Sequence, residues 1–535
     1  MAMGEGSGPD LAGRTPPRVR PPSIGEWLPL SASLHPSQRC FVDEGLHRTL
    51  TFLEVNGRVN RLANALRGEG MAAPDRVAIL AVDSHCYMET LLASMKLGTT
   101  YVPLNYRLAP SEIGVLLEES GASWLFVSEQ YEALASDLLQ SVAHLERVVV
   151  YGQSHAGHAA YEALLAGSDE AEPVRERELG DEDLLGLAFT SGTTGRPKGV
   201  LQSHRMMKMM VTNGMVHLTT TADEFRYSAA PMFHIGGMAM AMHGVALGFP
   251  NLLMPQFDPA PVLRWLQSGE ITSVFLVPTM INRLLAVPDV ERHDYSSLKS
   301  IVYGGGPITP MLLRRALDVF NCDFIQTFAA GTEAGGQTVL TAEDHRRALS
   351  GEPHLLASIG RPAFGVALRL VDEDVDDVEP GQVGEIATRS DTVMSGYLGQ
   401  PEESAEALRG GWFRAGDMAW ADERGYLYLA GRKNDMIIRG GENVYPIEIE
   451  TVLADFPGVN EVAVIGLDDA EWGESVCAVI TMDEGCERPP DEELRRHCRL
   501  RLAAYKVPTR FEFRPQLPVN ASGKILRTEL RRTIG

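Results

Sequence analysis

Short apolar runs alternate with segments of helical periodicity from about residue 77 onward. Residues 77–82 have a strand pattern, residues 87–97 have helical spacing, and residues 101–104 are apolar again. Later, residues 300–303 run into three glycines, and Thr309-Pro310 supplies the N-cap and first-turn proline of another helix. Such alternation predicts largely parallel sheets covered by helices, with ligands beyond the carboxyl ends of the strands. The predicted fold class is therefore α/β.

The pattern changes after about residue 365. Two β-rich runs, residues 366–371 and 385–388, flank an acidic segment, residues 372–380, which we interpret as a solvated hairpin tip in a small β-rich unit. Beyond Gly431 the pattern predicts a compact unit with helices over residues 446–453 and 491–502 and strands over residues 461–466 and 476–482. The expected parts are a disordered leader over residues 1–22, an N-terminal domain over residues 23–433 and a small mobile α+β C-terminal domain over residues 434–535.

The composition narrows the class of protein. A chain of 535 residues with 44% hydrophobic and 22% charged residues is typical of a soluble protein with several domains or subdomains. The net charge of −23 argues against broad binding to nucleic acid or to anionic membranes. Six cysteines without a CxxC pair or zinc spacing predict free thiols in the reducing cytoplasm. Residues 238–255, the longest mostly apolar stretch, are interpreted as buried core and not as a transmembrane segment.

One loop carries the strongest indication of chemistry. An apolar strand pattern over residues 184–189 runs into Thr-Ser-Gly-Thr-Thr-Gly-Arg-Pro-Lys-Gly at residues 190–199. Glycine lets backbone N–H groups approach phosphate oxygens, hydroxyls donate further hydrogen bonds, and the ammonium group balances charge. The loop is not a Walker A motif, because Pro197 and Gly199 replace its glycine and its magnesium-binding hydroxyl. It predicts a phosphate site, and a flexible surface loop is the alternative.

Further motifs follow this loop along the chain. They are Pro-Met-Phe-His-Ile-Gly-Gly at 231–237, Gly-Gly-Gly-Pro at 304–307, Gln-Thr-Phe-Ala-Ala-Gly-Thr-Glu at 326–333, Gly-Trp-Phe-Arg-Ala-Gly-Asp at 411–417, Gly-Arg-Lys-Asn-Asp at 431–435, Arg-Gly-Gly-Glu-Asn-Val-Tyr-Pro at 439–446 and Asn-Ala-Ser-Gly-Lys at 520–524. With them the chain resembles the acyl-adenylate-forming superfamily of acyl- and aryl-CoA ligases, peptide-synthetase adenylation domains and firefly luciferase. It looks most like bacterial fatty-acid-type CoA ligases, and the resemblance covers residues 25–532. It implies a large α/β N-terminal part of three subdomains and a mobile C-terminal domain.

The resemblance implies a site for the phosphates of ATP. Glu333 would hold Mg²⁺ on the phosphates, since this cation prefers carboxylate oxygen, and Thr332 would meet the α-phosphate. A salt-bridged structural glutamate is the alternative for Glu333. The loop residues that would hold the phosphates are Thr190, Ser191, Gly192, Thr193, Thr194, Gly195 and Lys198.

The resemblance also implies how the nucleoside is bound. Asp417 would accept hydrogen bonds from both ribose hydroxyls, and Arg432 would reach the ribose or a phosphate. Phe328 or Ala329 takes the aromatic position that stacks on adenine, depending on the register of a motif that is one residue longer than usual. The glycines that would line the adenine and acyl sites are Gly304, Gly305 and Gly306. A structural turn is the alternative for these residues.

The remaining motifs would act on the acyl group and on CoA. Lys524 would bridge the attacking carboxylate and the α-phosphate, where negative charge grows in the transition state. His234 would border the carboxylate and the CoA tunnel, although a lone histidine is more often a core residue. Asn434 occupies the hinge position between the domains. The residues that would leave room for the pantetheine arm are Gly440 and Gly441.

The reaction that the resemblance implies has two steps. A carboxylate attacks the α-phosphorus of ATP to give acyl-AMP and pyrophosphate, and the thiol of CoA then attacks the acyl carbon and expels AMP. The expected enzyme is an AMP-forming acid–CoA ligase for a mainly apolar, small-molecule carboxylic acid, with ATP, Mg²⁺ and CoA as cofactors or co-substrates. The alternatives are an acyl-AMP ligase that delivers to a carrier protein and a nucleotide-binding scaffold without turnover. The sequence predicts no nucleic-acid partner and leaves open whether the protein is a homodimer.

Overall fold

The protein is described here as a computed structural model. The described residues are 22–175, 177–190, 197–218, 220–221, 223–306, 308–469, 471–519 and 525–535. Nearly all of the predicted leader, the centre of the phosphate loop and the motif at residues 520–524 lie outside the described residues.

The strands of the first two thirds of the chain are short. Their bounds are β1 Arg39–Asp43, β2 Arg48–Thr51, β3 Arg76–Leu80, β4 Thr100–Pro103, β5 Trp124–Ser128, β6 Arg147–Tyr151, β7 Ala159–Ala160, β8 Leu184–Thr190, β9 Lys198–Ser203, β10 Arg226–Ser228, β11 Asn251–Leu253, β12 Ser273–Leu276, β13 Ser300–Gly304, β14 Asp323–Ala329, β15 Gly336–Leu340 and β16 Arg361–Pro362. They form two large sheets. One has the order β16-β15-β14-β13-β12-β10-β11-β1-β2 and is parallel from β14 to β1. The other contains β9-β8-β4-β3-β5-β6-β7 and is parallel from β8 to β7.

The later strands form two smaller sheets. Their bounds are β17 Ala367–Val371, β18 Gly384–Arg389, β19 Gly396–Tyr397, β20 Phe413–Ala421, β21 Leu427–Arg432, β22 Ile437–Arg439, β23 Glu442–Val444, β24 Val459–Asp469, β25 Gly473–Met482 and β26 Arg510–Phe513. Strands β17-β18-β20-β21 make an antiparallel sheet, which confirms the β-rich unit and its acidic hairpin. Strands β23-β22-β25-β24 form the last sheet, with β26 parallel to β25, while β19 pairs with β9 of the second large sheet.

Helices connect and cover these sheets. Their bounds are α1 Trp27–Leu34, α2 Phe52–Gly68, α3 His85–Leu97, α4 Pro110–Ser120, α5 Glu132–Ser141, α6 Tyr161–Ala166, α7 His204–His217, α8 Ile235–Leu247, α9 Pro259–Gln267, α10 Pro278–Leu285, α11 Pro310–Phe320, α12 Ala342–Leu349, α13 Pro401–Ala407, α14 Pro446–Ala454, α15 Asp491–Arg499 and α16 Arg527–Ile534. Helix α3 shows how local sequence forms the parallel sheet. Ser84 caps its start by accepting from the backbone N–H of Tyr87, and Gly98 ends it in a left-handed conformation with φ of 87°. Every residue of α3 is buried, so this β-α-β unit forms part of the core, and the predicted α/β class is confirmed.

The longest apolar stretch of the sequence belongs to the core. Its residues form α8 and β11, and most of them are buried. Within the described ranges, no helix has both the length and the apolar content needed to cross a membrane. The six cysteines are free thiols.

Candidate active site

The phosphate loop joins two paired strands. Thr190 ends β8 and Lys198 begins β9, and the two residues are direct partners across this antiparallel pair. The loop therefore leaves the sheet at the carboxyl end of β8, where the sequence placed it. Ser191, Gly192, Thr193, Thr194 and Gly195 lie outside the described residues.

A tyrosine that the motifs do not include connects this loop to Glu333. The Nζ atom of Lys198 lies 4.9 Å from the ring centroid of Tyr397, and the Tyr397 hydroxyl donates to Oε1 of Glu333 at 3.2 Å. Burial raises the pKa of Tyr397, and the neighbouring Glu333 carboxylate raises it further, so the hydroxyl stays protonated at neutral pH. Lys198, Tyr397 and Glu333 thus form one cluster, although they come from three distant parts of the chain.

The glycine motif and the Thr-Glu motif lie at the ends of neighbouring parallel strands. Gly304 ends β13 and faces Thr327 of β14, and a Cβ atom on Gly304 would overlap the carbonyl oxygen of Thr327. Gly305 has φ of 81°, and Gly331, just after β14, has φ of 80°, which is the left-handed region that favours glycine. The half-buried Thr332 and Glu333 follow at this edge. These two motifs therefore share one end of the nine-stranded sheet.

Either of two residues could occupy the aromatic position of the motif, depending on the register. Phe328 and Ala329 are both half-buried, and the β14–β15 register shifts between them. Phe328 packs against the apolar residues of the small antiparallel sheet, including Ala419 and Leu427. Its ring therefore belongs in part to the contact between the two sheets.

Asp417 and Arg432 are paired residues of the hairpin β20–β21. Nε of Arg432 lies 3.0 Å from Oδ1 of Asp417. Asp417 is buried, whereas the Arg432 side chain is 44% exposed. Glu385, which the motifs also do not include, accepts from the backbone N–H of Gly416 at 3.2 Å and so supports the turn before Asp417. The carboxylate of Asp417 is thereby held on a rigid strand beside an accessible cation.

His234 stands at the start of a buried helix. It is the N-cap residue of α8, and its backbone N–H donates to the carbonyl of Pro231 at 3.0 Å. Its ring centroid lies 4.4 Å from that of Phe233. The Pro231–His234 segment is therefore a tight turn between β10 and α8, at the same end of the sheet as Gly304.

Comparison with known proteins agrees with this geometry. A family model described as "AMP-binding enzyme" matches residues 29–398, and one described as "AMP-binding enzyme C-terminal domain" matches residues 448–524. The chain belongs to the AMP-binding enzyme family. It is thus a ligase of the adenylate-forming superfamily, as its motifs predicted.

Three relatives of this AMP-binding enzyme illustrate the range of the similarity. This chain is 37% identical over 518 residues to a feruloyl-CoA synthase from Amycolatopsis sp, and the match covers 97% of this chain and all of that protein. It is 34% identical over 488 residues to a fatty acid–[acyl-carrier-protein] ligase from Streptomyces coeruleorubidus, covering 90% of this chain and 91% of that protein. The solved structure of the anthranilate CoA ligase AuaEII in complex with anthranoyl-AMP has a TM-score of 0.88 at 26% identity, covering 96% and 97% of the two chains.

The two consecutive glycines between β22 and β23 of this AMP-binding enzyme form the tip of a hairpin. Gly440 and Gly441 connect β22 to β23 with φ of 61° and 86°, and two consecutive positive φ values are typical of a type I′ turn. The backbone N–H of Gly440 donates to the carbonyl of Trp472 at 2.7 Å, and a Cβ atom on Gly440 would lie 2.8 Å from the Trp472 ring. A Cβ atom on Gly441 would meet nothing within 4 Å. The hairpin runs directly into α14, which begins at Pro446, so the same segment also forms the entry to this helix.

Asn434 lies in a single turn of 3-10 helix, Lys433–Asp435. Arg527 of α16 lies 2.6 Å from Glu450 and 3.6 Å from Asp435, so this turn is held by a charged contact from the last helix. Lys524 lies outside the described residues.

One other side-chain group in the described ranges has a spacing suited to a metal. His85, Cys86 and Glu162 have ligand atoms within 4.8 Å of one another. Arg58 lies 2.7 Å from Glu162, and burial raises the pKa of Cys86 well above its usual value. A guanidinium neighbour and a protonated thiol both disfavour a bound cation, so we assign His85 and Cys86 to the core and the exposed Glu162 to an ion pair with Arg58.

Proposed function

We propose that the protein joins a mainly apolar carboxylic acid to CoA in two steps, through an acyl-adenylate, with ATP converted to AMP and pyrophosphate. The observation that supports this most is the convergence of Lys198, Tyr397 and Glu333 beside Thr332. A cation, a neutral hydroxyl and a carboxylate beside the carboxyl ends of β8 and β14 suit a polyphosphate and its counterion.

The residues around Glu333 fit a magnesium ion. The Glu333 carboxylate is half-buried, and the hydroxyl bonded to it is neutral, so hard oxygen ligands are available beside the phosphate loop. Bound there, Mg²⁺ would neutralise charge on the phosphates. Lys198 and the loop hydroxyls would hold the β- and γ-phosphates, and Thr332 would bind the α-phosphate.

The other site residues would position the reacting groups. Asp417 would orient the ribose, with Arg432 beside it, and the glycines at 304–306 would let the backbone approach adenine and the acyl chain. Lys524 would reach the attacking carboxylate and the α-phosphate and stabilise the charge of the transition state. Gly440 and Gly441 would leave a path for the pantetheine arm in the second step.

The acceptor of the acyl group has one alternative. The protein is 34% identical to a fatty acid–[acyl-carrier-protein] ligase, so transfer to the phosphopantetheine of a carrier protein is the second candidate. We favour CoA because the feruloyl-CoA synthase and the anthranilate CoA ligase match nearly the whole chain. Their names point to aromatic acids, so the proposed class of apolar acids includes aromatic as well as fatty acids.

Isotope exchange between ATP and pyrophosphate tests the first step. We expect exchange that depends on an added acid, in a panel that includes fatty, cinnamic-type and aminobenzoic acids. Lys524→Ala should abolish exchange, whereas Arg532→Ala, a change of an exposed cation on α16, should not. Absence of exchange with every acid would favour the scaffold alternative.

Thioester formation tests the second step. The same acid is supplied with free CoA or with a phosphopantetheinylated carrier protein, and the products are separated by mass. We expect acyl-CoA with free CoA. Product on the carrier protein alone would contradict the proposal and support the second candidate.

A further inference from the structure

A buried carboxyl group joins the two large sheets behind the turn that carries His234. Asp83 follows β3 of the second sheet and is 7% exposed. Its Oδ1 accepts from the backbone N–H of Met232 at 2.9 Å. Met232 follows β10 of the nine-stranded sheet, so this one hydrogen bond connects the carboxyl ends of strands from both sheets.

The turn that carries His234 makes a second contact with the second large sheet, through residues that follow β4. The ring of Phe233 packs edge-on against Tyr106, with 5.2 Å between the ring centroids. The guanidinium carbon of Arg107 lies 5.8 Å from the centroid of Phe233 and 5.6 Å from that of Tyr106. Asp83, Tyr106 and Arg107 therefore hold the Pro231–His234 turn from one side.

The other side of the turn is packed against the start of α8. A Cβ atom on Gly237 would overlap the carbonyl oxygens of Ala230 and Pro231, so the helix and the turn are in close contact. Asp83, Met232 and Gly237 also line one small cavity. A displacement of the Met232 backbone would therefore move His234 and the first turn of α8 together.

We propose that Asp83 is a positioning residue for the acid substrate: through the Met232 N–H it fixes the turn that carries His234 and borders the acyl site. This inference rests on the proposed function, because it assigns the acyl site to that turn. Asp83 acts through the backbone of the turn.

The presence of an aspartate and not an asparagine at position 83 supports a functional role for its carboxyl group. An asparagine could accept the same hydrogen bond without the cost of burying a charge. Burial raises the pKa of Asp83 to about 7, and the Met232 N–H and Arg107 partly offset this rise. Burial, and to a lesser extent the nearby Asp83, raises the pKa of tyrosines 87, 106 and 227, so these neighbours stay neutral. The charge of Asp83 therefore changes near neutral pH, behind a turn that also carries the imidazole of His234.

Two substitutions separate the hydrogen bond from the charge. Asp83→Ala removes the acceptor, and we expect KM for the acid to rise about 10-fold or more, the loss typical of a hydrogen bond to a charged group, with KM for ATP unchanged. Asp83→Asn keeps an acceptor oxygen but not the charge, so its KM for the acid should lie between those of the wild type and Asp83→Ala. In the wild type, KM for the acid should rise as pH falls through about 7, and this dependence should be absent in Asp83→Asn. Asp75→Asn, at the exposed amino end of β3, is the control.

Hydrogen exchange gives a readout that does not depend on turnover. The peptide that contains Met232 should exchange faster in Asp83→Ala than in the wild type, and Asp83→Asn should restore protection. With an active wild type, two results would overturn the inference. One is an equal rise of KM for the acid and KM for ATP in Asp83→Ala, and the other is the same pH profile in the wild type and Asp83→Asn. If Asp83→Ala does not fold, the pH profile of Asp83→Asn still decides. An inactive wild type would refute the proposed function, and unchanged protection in Asp83→Ala would then also refute the hydrogen-bond role.

Discussion

The ribose role of Asp417 can be tested with little disturbance of the fold. In Asp417→Ala the guanidinium of Arg432 loses an ion-pair partner at 3.0 Å, but its side chain is 44% exposed and can be hydrated. We therefore expect a stability loss of less than about 1 kcal/mol from the broken pair. A hydrogen bond from a ribose hydroxyl to a carboxylate is worth about 1.5–3 kcal/mol, so the loss of one of the two bonds alone should lower kcat/KM for ATP by roughly 10- to 150-fold, and the loss of both should lower it further.

Comparison of ATP with 2′-deoxy-ATP makes the test specific. The wild-type enzyme should prefer ATP by about 10-fold or more, because the deoxy analogue lacks one donor to Asp417. Asp417→Ala should use the two nucleotides about equally, since the acceptor is gone from the protein. Glu423→Ala, at the exposed tip of the same hairpin, should keep the preference of the wild type. If Asp417→Ala loses activity but still prefers ATP as strongly, the carboxylate supports the hairpin and does not bind the ribose.

Three further changes test other parts of the site and the core. Gly304→Ala should lower the melting temperature and weaken ATP binding, because its methyl group would overlap the neighbouring strand, while a methyl group on Gly306 meets no protein atom within 4 Å, so Gly306→Ala should leave the melting temperature unchanged. Gly441→Leu should block thioester formation and spare pyrophosphate exchange; a normal thioester rate would refute the tunnel role. Glu172→Gln should lower the free energy of unfolding by about 1–3 kcal/mol, because the buried ammonium of Lys96 loses a carboxylate partner that lies 2.8 Å away. Thermal unfolding measures this loss, and an unchanged melting temperature would show that the amide groups around Lys96 are sufficient partners.

Local patterns predicted the parts of the fold that local interactions form. Thr309 caps α11 by accepting from the N–H of Leu312, as its sequence context indicated. The helix predicted to begin at Pro446 does begin there, and the predicted strands at residues 461–466 and 476–482 lie within β24 and β25. Hydrophobic periodicity, caps and turn residues act over a few positions, so they are visible in the sequence.

Contacts between distant segments could not be predicted in this way. Tyr397 reaches Glu333 because the two-residue strand β19 pairs with β9, almost 200 residues earlier in the chain. A strand this short has no periodicity to detect. The bond from Met232 to Asp83 spans 149 positions and depends on how two sheets pack. The motifs therefore predicted candidate site residues, whereas the residues that hold these candidates in place emerged only from the packing.

Asp83 also shows the cost of a site built between two sheets. Its pKa of about 7 in the folded protein lies well above the usual value of 3.8, so the folded state keeps this proton to higher pH than the unfolded chain does. The contribution of Asp83 to the free energy of unfolding is therefore largest below about pH 4 and decreases as the pH rises to about 7. Above that pH it is lower by about 4 kcal/mol. A carboxyl group selected only for stability would not be kept at such a position, because asparagine avoids the loss and retains the acceptor oxygen. A cost of this size, placed directly behind the turn that carries His234, is best explained if the charge of Asp83 helps to hold the acid substrate in place.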